Sequence, residues 1–104
     1  VMINHSKNGA ISELRISAIL MKRGWDVFRS LSPESKADLV ACKNNVVVKI
    51  DSTTCSIYVT KEGATTYLKP HQTKINRCIE HGILCVAIYD DDVIVEHTQN
   101  YVFF

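Results

Sequence analysis

The chain is poor in the residues and motifs that announce many common chemistries. It has only four glycines and two prolines in 104 residues, and no glycine-rich phosphate loop. Serine or cysteine nucleophile signatures are also missing, which argues against P-loop nucleotide hydrolysis and acyl transfer. Cys42, Cys55, Cys78 and Cys85 form no CxxC pair and no close zinc spacing, so they are expected to be reduced core thiols in a cytoplasmic protein. No apolar run approaches the roughly 20 residues of a membrane-spanning helix. The start, Val1-Met2-Ile3-Asn4-His5, lacks the apolar stretch of a secretory signal. A soluble protein with no membrane partner is expected. Lysine and arginine are absent after Arg77.

That last absence divides the charge. The net charge is only +1, yet residues 1–77 carry +6 and residues 78–104 carry −5. Three of the six acids in the first stretch are Glu13, Asp38 and Asp51. A basic rim around an acidic pocket suits a nucleic-acid substrate with a bound cation. At 46% hydrophobic content, residues 1–104 suffice for one compact domain with a modest core.

Periodicity supplies the elements. Ile11, Leu14, Ala18 and Met21 recur at helical intervals and predict the buried face of a helix over 8–23, capped by Gly24. Glu13 lies about 100° from Leu14 on that wheel, at the margin of the expected face. Residues 25–29, 37–42 and 46–51 read as strands, the last two as a hairpin around Lys43-Asn44-Asn45. A further strand is expected over 55–60. Pro70 opens a second helix whose inward side would hold Gln72, Ile75 and Ile79. Residues 83–89 form a buried strand, and Asp90-Asp91-Asp92 turns into 93–96. The apolar tail Tyr101-Val102-Phe103-Phe104 must pack on the core or on a second copy. His5, His71, His81 and His97 share no metal spacing and read as surface or cap residues.

Phosphodiester hydrolysis needs a cation to neutralise developing charge and activate water, and carboxylates at adjacent strand ends can hold one. Asp38 and a residue ending the next strand are so placed, and a nearby lysine could stabilise the transition state.

Three segments carry a resemblance: Gly9-Ala10-Ile11-Ser12-Glu13 with Lys22-Arg23-Gly24-Trp25; Lys36-Ala37-Asp38-Leu39-Val40-Ala41; and Val48-Lys49-Ile50-Asp51-Ser52-Thr53. Together with His71-Gln72 and Glu80-His81-Gly82, over about residues 9–90, the chain resembles the PD-(D/E)XK nucleases. That superfamily includes archaeal Holliday-junction resolvases and intron-encoded homing endonucleases. The resemblance implies an α/β, restriction-endonuclease-like core with a central mixed β-sheet flanked by helices. It implies Mg²⁺ or Mn²⁺ as cofactor, with Glu13, Asp38 and Asp51 as metal ligands, and Glu13, Asp38, Lys49, Asp51 and Gln72 as catalytic residues. Glu13 matches the family's helix acid and Asp38 its metal ligand, while Ala37 stands where many members have proline. The family places a carboxylate or glutamine two residues before a lysine. Here Lys49 holds the first place and Asp51 the second, an inverted order.

The function implied is a metal-dependent DNA endonuclease acting as a homodimer or higher symmetric oligomer. The alternative is a catalytically silent nuclease-like module that binds DNA or a protein.

Overall fold

The computed structural model describes residues 5–32, 36–98 and 104, with residues 5–8 in backbone only. Its elements in chain order are α1 (His5–Lys22), β1 (Asp26–Arg29), β2 (Leu39–Lys43), β3 (Val46–Thr54), β4 (Ile57–Val59), β5 (Thr65–Tyr67), α2 (Gln72–Glu80), β6 (Leu84–Ile88) and β7 (Ile94–Glu96). A five-stranded mixed sheet runs in the order β1-β2-β3-β6-β7, and β4 and β5 form a separate two-stranded ribbon. Helices flank the sheet, as expected.

Local chemistry explains the joints. Lys43 pairs with Val46 across a two-residue loop. Both loop residues, Asn44 and Asn45, take positive φ (50° and 67°), the hairpin geometry that asparagine tolerates best after glycine. Gly24 ends α1 at φ 91°, where a side chain would be strained. The chain re-enters the core at once through Trp25, whose ring meets that of Phe104 at a centroid distance of 5.6 Å. Phe104 thus packs on the core, whereas Tyr101, Val102 and Phe103 lie outside the described residues.

The main core joins Ile16 and Leu20 of α1 to Leu39, Ala41, Ile50, Leu84, Val86 and Ile88 of the sheet. A second cluster lies on the other face, where Ile75 and Cys78 of α2 meet Ala37, Ile83 and Cys85.

Two expectations about helix faces are overturned. On α1, Ile11, Leu14 and Met21 are 46%, 57% and 56% exposed, while Ser12, Ile16, Ser17 and Leu20 are buried. Ser12 and Ser17 hid this face from a hydrophobic count, because their hydroxyls are satisfied inside: Ser12 bonds Thr54, and Ser17 donates to the Glu13 carbonyl at 2.7 Å. On α2 the inward pair is Ile75 and Cys78. Ile79 is 54% exposed, and Gln72 is exposed too.

Two strand expectations also change. β3 runs three residues beyond Asp51 to Thr54, because its second half pairs in parallel with β6. The sequence predicts one further strand, over 55–60, between β3 and α2, but the chain there folds back on itself as β4 and β5. Thr65-Thr66-Tyr67 is too short and polar to show a strand period.

If the buried face of α1 is the serine-containing one, Leu20→Ala should cost about 2–5 kcal/mol and Leu14→Ala less than about 0.5 kcal/mol. Urea unfolding of both variants checks this, and equal losses would contradict the packing.

Candidate functional site

The sheet opens where β3 changes partners. β2 covers β3 from Val46 to Ile50, and β6 covers the other edge from Ile50 to Thr54. Because β2 begins at Leu39, residues 51–54 lose their neighbour on that side. Asp38 sits at the mouth of this opening, its N–H donating to the Ile50 carbonyl at 2.8 Å. The register that pairs Leu39 with Ile50 sets Asp38 directly across from Asp51.

In an antiparallel ladder, alternate residues direct both backbone groups to the neighbouring strand. Ser52 is the first residue beyond Ile50 to do so toward the departed β2. Its N–H and hydroxyl both donate to Asp38 Oδ2, at 2.8 and 2.9 Å. Its carbonyl accepts from Lys74 Nζ at 3.3 Å. The same ammonium lies 3.5 Å from Asp51 Oδ1, and the Cys78 thiol donates to Asp51 Oδ2 at 3.5 Å. Asp38, Asp51, Ser52 and Lys74 therefore form one cluster, with Cys78 behind it.

The electrostatics follow from burial. Asp51 is buried, and its carboxyl is held above the usual carboxylate range: desolvation raises it most, Lys74 opposes, and the hydrogen bond and charge of Asp38 raise it further. The Cys78 thiol is pushed up to about 12 by burial and by the Asp51 charge. It therefore stays protonated and serves Asp51 as a donor.

Glu13 reaches the front of the same opening. Its carboxylate pairs with Arg29 at 3.0 Å, and together with Ala37 and Asp38 these residues line an open cavity of about 270 Å³. Ser30 to Ser32 complete the wall.

The five residues singled out from sequence thus separate. Glu13 and Asp38 share the cavity, and Asp51 joins Asp38 from behind. Lys49, exposed on β3, pairs with Val40, two residues upstream of Asp51. Gln72 starts α2 outside the cluster, donating to Asn76 at 2.8 Å and accepting from Lys69 at 3.4 Å. The role of Ser52 and the approach of Lys74 to Asp51 were not anticipated. The available signal for Lys74 was its position one residue before Ile75, which turns it beside the buried face of α2. Among the described residues, no group of three or more His, Cys, Asp or Glu side chains is arranged to hold a metal ion.

No model of a known family matches the chain, and no curated protein matches it in sequence. Its fold is similar to that of a bacterial homing endonuclease, I-Ssp6803I, with a TM-score of 0.58 and 17% identity over 92% of this chain. The chain spans 66% of that protein's length. The two share a fold.

Because the folded state holds the Asp51 proton more tightly than the unfolded chain does, stability should fall as pH rises from 3.8 through the raised value. Asp51→Asn should flatten that limb and raise stability at neutral pH. Urea midpoints from pH 3.5 to 8 check it, and an unchanged pH profile in the variant would contradict the assignment.

Proposed function

We propose that the chain is a cation-dependent DNA endonuclease of the PD-(D/E)XK kind, with Asp38 and Asp51 as its carboxylate pair and Lys74 as its lysine. The observation that carries this reading is the cluster at the sheet opening, where the carboxylates of Asp38, just before β2, and Asp51 of β3 meet the ammonium of Lys74 from α2. The nuclease fold of the homing endonuclease supports it.

A divalent ion fits this donor set. Magnesium is commonly held by one or two carboxylates and completes its shell with water and substrate phosphate, so a three-acid cage is not required. The neighbouring Asp38 carboxylate raises the proton affinity of Asp51, a repulsion that a bound cation would relieve. When bound, the ion would supply charge neutralisation for the phosphate and a more acidic water.

The other roles belong to the chain. Ser52 holds the Asp38 carboxylate by its N–H and hydroxyl. Lys74 would present positive charge to the negative charge developing on the phosphate oxygens. Glu13, fixed by Arg29, borders the cavity through which water and backbone phosphate would arrive. The family's motif then falls on Asp51-Ser52-Thr53, with Thr53 in the place of the lysine and Lys74 supplying the ammonium from α2. Cutting both strands of a duplex takes two such sites, so a symmetric dimer is part of this reading.

A second reading, a silent nuclease-like DNA-binding module, draws on the same contact, since Lys74 already neutralises part of the charge on Asp51. Plasmid cleavage with Mg²⁺ or Mn²⁺ separates them. The enzyme reading expects nicking and linearisation that EDTA abolishes and that Asp38→Asn eliminates. Lys74→Ala should slow it by about 10²–10³-fold, while Lys49→Ala should leave it near wild type. DNA binding without cation-dependent cleavage would leave the silent module standing.

A further inference from the structure

The β4–β5 ribbon stands outside the main sheet and both core clusters. It leaves β3 just beyond the Asp51-Ser52 cluster and returns through Pro70 into α2, which carries Lys74. Both halves of the charged site are therefore joined to its base.

The ribbon is built to hold its shape. At the tip, Thr60 N–H donates to the Ala64 carbonyl and Gly63 N–H to the Thr60 carbonyl, both at 2.9 Å. Ala64 N–H also donates to Thr60 Oγ1 at 3.0 Å. Gly63 makes this turn with φ 83°. At the base, Tyr89 Oη donates to the Leu68 carbonyl at 2.6 Å, and Tyr67 Oη donates to Asp91 at 2.8 Å. The Tyr67 ring meets Tyr89 edge-on at 4.8 Å.

That packing decides which face looks outward. Tyr67 pairs with Ile57 and Thr65 with Val59, whereas Tyr58 pairs with Thr66. Side chains alternate along each strand, so one face rests on the body at Tyr67 while its Val59 and Thr65 are exposed, and the Tyr58–Thr66 face is exposed throughout. Tyr58 is 57% exposed. Lys61 at the tip and Lys69 at the base are exposed as well, and Glu62 is the only acid between Cys55 and Asn76.

We propose that the β4–β5 ribbon enters the major groove of duplex DNA, where Tyr58 and Thr66 meet base edges and Lys61 and Lys69 meet the flanking phosphates. The proposal rests on the reading of DNA as the substrate. A two-stranded ribbon, with strands about 5 Å apart, fits a groove about 12 Å wide, and that groove distinguishes all four base pairs. Its hydroxyl-bearing outer face supplies donors and acceptors for base edges, and its lysines carry the sign that phosphate requires. An added protein strand would use the ribbon's backbone edge instead and would be indifferent to Tyr58 and Thr66.

The test is selection of the full chain against a randomised duplex library, followed by anisotropy titrations. Ca²⁺ replaces Mg²⁺, so that binding is read without cleavage. The wild type should enrich a motif. Tyr58→Ala and Thr66→Val should each relax part of it and weaken binding to the selected duplex by about 5–150-fold. Lys61→Gln and Lys69→Gln should keep the motif and each lower the salt slope by about one. Methyl green, which occupies the major groove, should displace the protein, and netropsin in the minor groove should not. All four positions are exposed, and circular dichroism confirms that the variants fold.

An unchanged motif in Tyr58→Ala and Thr66→Val, no enriched motif at all, or displacement by netropsin alone would overturn the ribbon's role. If the wild type still cuts plasmid, the nuclease reading survives that result. If the wild type neither binds nor cuts DNA, both fail together.

Discussion

A strand that loses its neighbour halfway along its length must satisfy the backbone groups left behind, and this constraint organises the charged end of the sheet. β3 is paired on the β2 side only as far as Ile50. Ser52 is the next residue to point N–H and C=O that way. Unpaired backbone groups buried in a protein are costly. Here a carboxylate takes the N–H and an ammonium takes the carbonyl. Side chains thus stand in for the missing strand, and the opposite charges are gathered as a consequence.

The arrangement is electrostatically uneven. Asp51 lies in a buried position beside Asp38, and one lysine does not offset both desolvation and the second carboxylate, so its proton affinity stays raised. A site assembled for stability alone would do as well with apolar side chains of similar size, because paired buried charges seldom outcompete them. Two acids are nonetheless held side by side, Asp38 lining the open cavity and Asp51 buried behind it. Cys78 belongs to the same account. Its thiol, kept neutral by burial, donates to Asp51 without adding charge.

Much of this was legible in the sequence, for definite reasons. The runs at 37–42 and 83–89 betray buried strands by their apolar content, and Asn44-Asn45 marks a hairpin because both residues tolerate positive φ. Glu13 and Asp38 stood out as acids beside apolar elements, and the structure brings both to one cavity. What failed was everything that depends on a partner elsewhere in the chain. The buried face of α1 contains serines that bond inside the fold, so counting apolar residues selected the wrong stripe. The length of β3 depends on β6, more than thirty positions later in the numbering. Lys74 could not be placed from its neighbours alone, since its contacts are with Asp51 and Ser52.

Those failures bear on the order of charges along β3. In sequence, Lys49 precedes Asp51 and the pair looks reversed. In the sheet, what matters is the residue across the ladder, and Asp38 stands across from Asp51 while Lys49 stands beside Val40. Two residues along a strand are about 7 Å, which sets Lys49 back from Asp51, and the Ser52 carbonyl that Lys74 reaches lies one residue further on. The ammonium comes from a helix because α2, packed by Ile75 and Cys78 against the second core cluster, brings residue 74 over the bare edge at Ser52. A lysine on a packed helix can serve a strand acid without any particular spacing in sequence. The linear order of Lys49 and Asp51 is therefore a poor guide to the charge order of the site.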